Sequence, residues 1–503
     1  MKPVRDLLKH SSVYAVGQIL TRMASILLLP LYTHCLTPAD YGITAILDLT
    51  TAVLALVIGG GMVTAVTRFH FDHDSEKHTD RVWWTGLVYV AVLSTVMLLP
   101  LWSGRQILSD LTLGADIADG SRFYTLTLMT IWAFVLGHVC DAYLRVKKWS
   151  GLFVAISMAR LLLNVGLNVT FLVGMKMGVY GLLLGNLIAT ILHTTALLIV
   201  FASTRGRICF DPVMARQLVK FSIPLVATAV LSMMMHEADR YILQKYVSLK
   251  DVGIYSLAHK IGFAVNTLCL MPFISIWHVA IYDIERMGQS EQVFGRVFRW
   301  FVSGFGILLL GASLIVKPLL PMLTPEAYGG SADLVSLILL GFFFFGLQFQ
   351  FEVPALLTKR SGLLVPGNVL GVIVNIGGNL LLIPVAGVSA AAWVGVATYF
   401  VCSFCILAVC RRSFRIQYPW WSCSLIFLGL CATFVFVDQL VFPQIGRAAE
   451  VIVTIAVCAL WALVLFGREG LTWWTSKRSV HSEVSPGVEL SETAGQVVCE
   501  IHS

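Results

Sequence analysis

The sequence predicts an all-α polytopic membrane protein of about fourteen transmembrane helices. Two six-helix lobes related by a parallel internal repeat are followed by two C-terminal helices. Three observations carry this prediction. Of 503 residues, 57% are hydrophobic and 13% charged, about half the charge of a soluble domain, and the mean hydropathy is +0.83. Apolar stretches of bilayer-spanning length, about twenty residues, recur along nearly the whole chain. Finally, the sequence matches itself at an offset of 211 residues.

Taken in order, the apolar windows are 12–32, 41–66, 83–102, 122–142, 151–174, 179–202, 221–243, 252–276, 297–316, 332–354, 363–385, 388–410, 423–442 and 448–466. The first follows Lys2, Arg5 and Lys9 and resembles a signal peptide. It is long, contains Arg22 and lacks a clear small-x-small cleavage site, so it reads as a retained span. With the amino terminus placed in the cytoplasm, the connections on that side hold 23 Lys and Arg and those opposite hold 6. This asymmetry puts both termini in the cytoplasm. It also supports an even span count, because one missed helix would invert every later loop.

At the 211-residue offset, Asp40, Gly42 and Ile43 match Asp251, Gly253 and Ile254. Ser150, Gly151 and Leu152 match Ser361, Gly362 and Leu363, while Asn164 and Asn168 match Asn375 and Asn379. Six helices separate equivalent spans. The two halves therefore share one orientation and are related by an axis along the membrane normal. The domains follow: an N-lobe at 1–202, a cytoplasmic linker at 203–220, a C-lobe at 221–410, two extra helices at 411–466, and a tail at 467–503 whose composition suits disorder.

The net charge of +7 sits in short loops as a topology signal, not as a patch for nucleic acid. Eleven cysteines are scattered, mostly through apolar runs, and read as membrane filler. Cys402 and Cys405 form a CxxC inside a span, without a redox context. His70, Asp72, His73, Asp74, Glu76, His78 and Asp80 crowd one loop but lack metal-ligand spacing and read as a solvated segment. No GxSxG, P-loop or HExxH motif is present, and no cofactor is expected.

Charges inside the spans are costly, about 2.5–3.5 kcal/mol for a central Arg, and so are functional candidates. Tyr14, Gln18 and Arg22 share one face of the first span. Arg160, Asn164 and Asn168 do so in the fifth, and Thr228, Ser232, His236 and Arg240 in the seventh. His259, Lys260 and Asn266 add polarity to the eighth, and Asn368, Asn375 and Asn379 to the eleventh. Such stripes suit a bundle around a hydrated cavity. At about 1.5 Å rise per residue, Arg22, Asp48 and Arg160 lie near the midplane, as do Glu237 and Lys260. Depth alone pairs Arg22 with Asp48 and Glu237 with Lys260, either as structural ion pairs or as an anion site with an ion-coupling acid. Arg160 has no acid in its own span and reads as a substrate ligand. Asp239 and His236 join Asp48 and Glu237 as ion-coupling or ion-pair candidates, and the asparagines either bind substrate or join helices. Gly59 to Gly61, Pro30, Pro224, Pro272 and Pro366 are candidate hinges.

LLLPLYTHCLTPADYG (27–42), ADRYILQKYVSLKDVGIYS (238–256), TPEAYGG (324–330) and NIGGNLLLIPVAGVSAAAW (375–393) carry a family resemblance. Over residues 10–410 the chain resembles polysaccharide transporters of the multidrug/oligosaccharidyl-lipid/polysaccharide exporter (MOP) superfamily, which includes the O-antigen (Wzx-type) flippases. The resemblance implies two lobes in a V and flipping of an undecaprenyl-pyrophosphate-linked glycan by alternating access across the inner membrane. O-antigen, exopolysaccharide or capsule would be the product. Cationic residues of the cavity would bind the pyrophosphate, a role that Arg22, Arg160, Arg240 and Lys260 fit. Membrane lipids and polysaccharide polymerase or assembly proteins would be its partners, with coupling to Na+ or H+ left open. Competing functions are a peptidoglycan-precursor flippase, a multidrug or cation exporter, and a membrane glycan polymerase. The last suits the chain least, because its longest external connection, about 103–121, is short.

Overall fold

The computed structural model describes residues 28–72, 75–205, 208–286 and 290–482. Its helices, in chain order, are α1 (Leu29–Cys35), α2 (Pro38–His70), α3 (Glu76–Ser103), α4 (Arg105–Thr112), α5 (Gly120–Val146), α6 (Ser150–Gly174), α7 (Gly178–Thr204), α8 (Pro212–Tyr246), α9 (Leu249–Glu285), α10 (Ser290–Leu323), α11 (Ser331–Phe351), α12 (Val365–Cys410), α13 (Trp420–Phe436) and α14 (Arg447–Ser482). Twelve helical segments of the described residues are long and apolar enough to cross a membrane. They account for thirteen of the fourteen expected spans, because Ser361–Cys410 contains two. Its backbone leaves the helix at Gly387 (φ +58°, ψ −136°), between the windows expected at 363–385 and 388–410. The remaining window, 12–32, falls mostly outside the described residues. The last helix continues to Ser482, past residue 466 and into the segment expected to be a disordered tail.

The repeat is visible in the backbone. Thr37 caps α2, its side chain accepting from Asp40 N–H while Asp40 accepts from the Thr37 backbone. Ser248 caps α9 by accepting from Asp251 N–H in the same way. Both caps satisfy amide donors that a helix start leaves free. Left-handed residues also repeat: Lys148 (φ +58°) with Lys359 (φ +56°), and Lys176 (φ +52°) with Gly387. Packing follows suit, with α5 against α7 in the N-lobe and α11 against the second half of α12 in the C-lobe. The last two helices, α13 and α14, pack on α10 of the C-lobe.

Only glycine adopts the Gly387 conformation readily, whereas Lys176 holds its turn against the usual side-chain penalty. Gly387→Ala is therefore expected to destabilise the protein by about 1–3 kcal/mol, and Lys176→Gly to stabilise it by up to about 1 kcal/mol. Thermal unfolding midpoints of the purified variants in one detergent check both signs.

The two lobes meet at both ends of the bundle. At the end bearing the Thr37 and Ser248 caps, called here the capped end, α2 crosses α9. A Cβ on Gly42 would stand 2.1 Å from the Leu249 carbonyl oxygen, and one on Gly253 would stand 1.8 Å from that of Pro38. Pro38 and Leu249 are themselves repeat equivalents, so a two-fold axis runs between the glycines. At the other end, which carries Lys147, Lys148, Lys359 and Arg360 and is called the basic end, α2 touches α8. There a Cβ on Gly61 would lie 2.8 Å from the Ser222 carbonyl, and the Phe69 and Phe221 rings meet edge to face at 6.0 Å. Gly61 follows a π-helical turn at Leu56–Gly60, the place the glycine run marked as a hinge. Such bulges often sit at functional sites.

Candidate functional site

Between these two contacts the lobes line a partly open cavity of about 520 Å³. The N-lobe contributes Asp48, Leu49 and Ala52 from α2. The C-lobe contributes polar groups from α8 (Ser232, His236, Glu237, Arg240) and α9 (His259, Asn266), and the aromatic rings of Phe263, Phe342, Phe345 and Tyr399. Helical spacing explains the polar stripe: Ser232, His236 and Arg240 recur every four residues on one face of α8. Asp48 and His259 are equivalent positions of the repeat, so the two lobes present an acid and an imidazole at the same register.

Arg240 organises this cavity. Its Nη1 lies 2.8 Å from Glu237 Oε2 and its Nη2 donates to His259 Nδ1 at 2.6 Å. Among the described residues the Nε–H is buried without a partner. His236 Nδ1 and the Tyr399 hydroxyl share a hydrogen bond of 2.6 Å. Asp239 is not among the residues lining the cavity and accepts from the Tyr255 hydroxyl and from the Arg240 backbone N–H. Lys260 lies beside the cavity, its ammonium 5.9 and 5.8 Å from the rings of Tyr32 and Tyr41. Among the described residues, Lys260 and Arg240 are the cations that act on Asp48.

The structure therefore gathers Asp48, His236, Glu237 and Arg240 in one cavity, with Lys260 at its edge. It changes the expected pairing: Glu237 binds Arg240, three residues on along its own helix, and Lys260 acts across the lobe interface on Asp48. Arg22 and Gln18 lie outside the described residues, so the Arg22–Asp48 pair does too.

Arg160 is not among the residues lining the cavity. It lies between α5, α6 and α7, where its Nη2 donates to Thr190 Oγ1 at 3.2 Å, its guanidinium carbon is 5.9 Å from the Phe134 ring, and its counter-charge is Asp141 of α5. The asparagines pair within their own helices, again in register with the repeat. Asn168 Nδ2 donates to Asn164 Oδ1 at 3.0 Å, and Asn379 Nδ2 to Asn375 Oδ1 at 3.3 Å. Asn168 also donates to the Tyr32 hydroxyl at 2.8 Å, joining α6 to α1. Sequence reasoning missed Tyr399 and the rings of Phe342 and Phe345, because an aromatic residue on an apolar span looks the same facing a cavity or a lipid tail.

The arrangement suits a ligand with an anionic part and an apolar-faced polar part. Guanidinium N–H groups bind phosphate oxygens well, and aromatic rings stack on flat apolar faces such as those of sugars.

Residues 33–279 match the family model described as "Polysaccharide biosynthesis protein". No curated protein matches the chain in sequence. Among solved structures the chain is similar to a lipid II flippase, MurJ, in an inward closed conformation. The TM-score is 0.74 at 11% identity, covering 92% of this chain and 99% of that one. It is also similar to an inward-facing multidrug resistance MATE family transporter of the MOP superfamily (TM-score 0.59, 11% identity, 84% of this chain and 96% of that one). A Vibrio cholerae MATE transporter follows (TM-score 0.51, 15% identity, 82% and 97%). At such identities the structural likeness shows the fold. Together with the family match it bears out the resemblance to polysaccharide transporters of the MOP superfamily.

Proposed function

Starting from a multi-pass membrane protein with the MOP flippase and transporter fold, we propose that the chain flips an undecaprenyl-pyrophosphate-linked oligosaccharide. The substrate moves from the cytoplasmic to the outer leaflet of the inner membrane for O-antigen, exopolysaccharide or capsule synthesis. The basic end faces the cytoplasm, in keeping with the positive-inside charge asymmetry. The observation that carries this reading is the cavity between the lobes, where Arg240 is held by Glu237 and His259 with one N–H unpartnered among the described residues.

In the mechanism, Arg240 and Lys260 neutralise the pyrophosphate, while Ser232 and Asn266 offer hydrogen bonds to sugar hydroxyls. Phe342, Phe345 and Tyr399 stack against sugar faces. Opening the Gly42–Gly253 contact exposes the cavity at the capped end, and opening the Gly61–Ser222 contact exposes it at the basic end. Alternation between the two moves the ligand. A cavity of about 520 Å³ takes a head group and a short part of a glycan, so longer glycans are accommodated only as one end opens.

A second reading, export of an organic cation, is favoured by Asp48, Glu237 and the aromatic lining, which together suit a cation. Quantifying lipid-linked oligosaccharide on each leaflet after deletion of the gene, with and without complementation, decides between them. Accumulation on the cytoplasmic leaflet, reversed by the wild-type gene, is the expected result. An unchanged leaflet distribution with new sensitivity to cationic dyes would favour the exporter.

A further inference from the structure

Two intramembrane carboxylates take no part in the cavity, and they occupy equivalent positions of the repeat. Asp141 is five residues before the end of α5 (Val146), and Glu352 lies 211 residues later, just past α11 (Phe351). The spans that hold them, Gly120–Val146 and Glu326–Leu357, are the two most enclosed by protein among the described spans. Both acids thus sit within their lobes, about 7–8 Å from the basic end of the span.

Each faces a histidine from a neighbouring helix. Asp141 Oδ1 is 3.9 Å from His193 Nε2 of α7, and Glu352 Oε1 is 3.4 Å from His278 Nε2 of α9. The two histidines are not repeat equivalents: the position matching His278 is Thr67, and that matching His193 is Phe404. The acid–imidazole couple is thus present in both lobes on different scaffolding. Asp141 Oδ1 is buried and has no hydrogen-bond partner among the described residues. An unsatisfied carboxylate oxygen in a low-dielectric site is costly, and one added proton would relieve that cost. The other groups acting on Asp141 are Arg160 of α6 and Arg145 of its own helix; Cys140 adjoins it and His138 lies one turn away. Glu352 is acted on by His278 and in turn acts on Cys410 of α12.

We propose that Asp141–His193 and Glu352–His278 are proton-binding sites, one in each lobe, whose occupancy couples a proton gradient to movement of the lobes. On uptake one proton passes from water to the carboxylate, and the pair changes from carboxylate and neutral imidazole to a carboxylic acid whose O–H donates to the neutral imidazole. The gap then closes to an O–H···N hydrogen bond of about 2.8 Å. On release the proton returns to water and no other bond changes. Closing the first gap draws α5 toward α7. Closing the second draws α11 toward α9, the helix that carries Gly253 at the lobe contact. Proton binding stands on the geometry alone, whereas coupling rests on the transport function proposed above.

The test has two arms. In the first, proton uptake by the purified protein is titrated between pH 8 and pH 5, the range in which buried carboxyls take up protons. Asp141→Asn and Glu352→Gln are expected to take up about one proton fewer each than wild type, and the double variant about two fewer, with elution profiles confirming a folded protein. Equal uptake by wild type and the double variant would overturn the sites. In the second arm, flipping of a fluorescent undecaprenyl-pyrophosphate oligosaccharide is followed in proteoliposomes with and without a pH gradient. Wild type is expected to accelerate with the gradient and the double variant to run at the gradient-free rate in both cases. Wild-type flipping that ignores the gradient would overturn coupling while leaving the uptake result standing. Wild-type vesicles that never flip the probe would overturn the transport reading instead.

Discussion

Gly253→Val is expected to abolish transport while leaving the protein in the membrane, and Gly42→Val to do the same. The reason is the backbone approach at the capped end. Even a methyl group on Gly253 would sit 1.8 Å from the Pro38 carbonyl oxygen, and the obstacle is main chain that no rotamer change removes. Overpacking of this kind costs about 1–3 kcal/mol at a site that yields, and this one does not yield unless α2 and α9 separate. The closed arrangement of the capped end therefore loses at least about a factor of ten in population. Spin labels on Asp116→Cys and Lys250→Cys, exposed positions on opposite lobes, measure the gap. The distance should lengthen in either valine variant. An unchanged distance with full transport would show that the glycines do not gate this end.

The second large effect is expected at Arg240. Arg240→Gln leaves Glu237 as an unpaired acid in the cavity, and breaking a buried pair on one side commonly costs about 3–5 kcal/mol. Partial exposure of both groups, 14% and 28% of their side chains, moves the expectation below that range. Abundance should fall, and flipping with it. Arg240→Gln/Glu237→Gln removes both charges and is expected to restore abundance without restoring flipping, because the group that meets the pyrophosphate is still absent. Recovery of flipping in the double variant would make Arg240 a structural partner only. Leaflet quantification, normalised to protein in the membrane, gives the answer.

Much of the fold was legible because hydropathy and loop charge are one-dimensional signals. The Ser361–Cys410 segment divides at Gly387 where the windows placed a break. Repeat matches such as Asp40 with Asp251 mark cap residues, whose chemistry a helix start demands in each half. The charged site was less legible. Depth along a helix follows from residue number, but which neighbouring helix a given face meets does not, so Glu237 and Lys260 pair on equal depth although they point to different neighbours. The partner of Glu237 was readable in principle, since Arg240 follows at three residues, the spacing at which helical side chains meet. The counter-charge of Arg160 was not, because Asp141 acts on it from another helix. Nor did the sequence separate a cavity wall from a lipid-facing stripe, and on that distinction the rings of Phe342 and Phe345 depend.

The turns with left-handed backbones have a historical reading. Lys176 and Gly387 occupy the same place in the two halves and share the same sign of φ, though one residue accommodates that geometry and the other resists it. Two halves that have diverged in sequence thus still turn with the same sign of φ at this place, although only one of them carries the residue that makes such a turn easy.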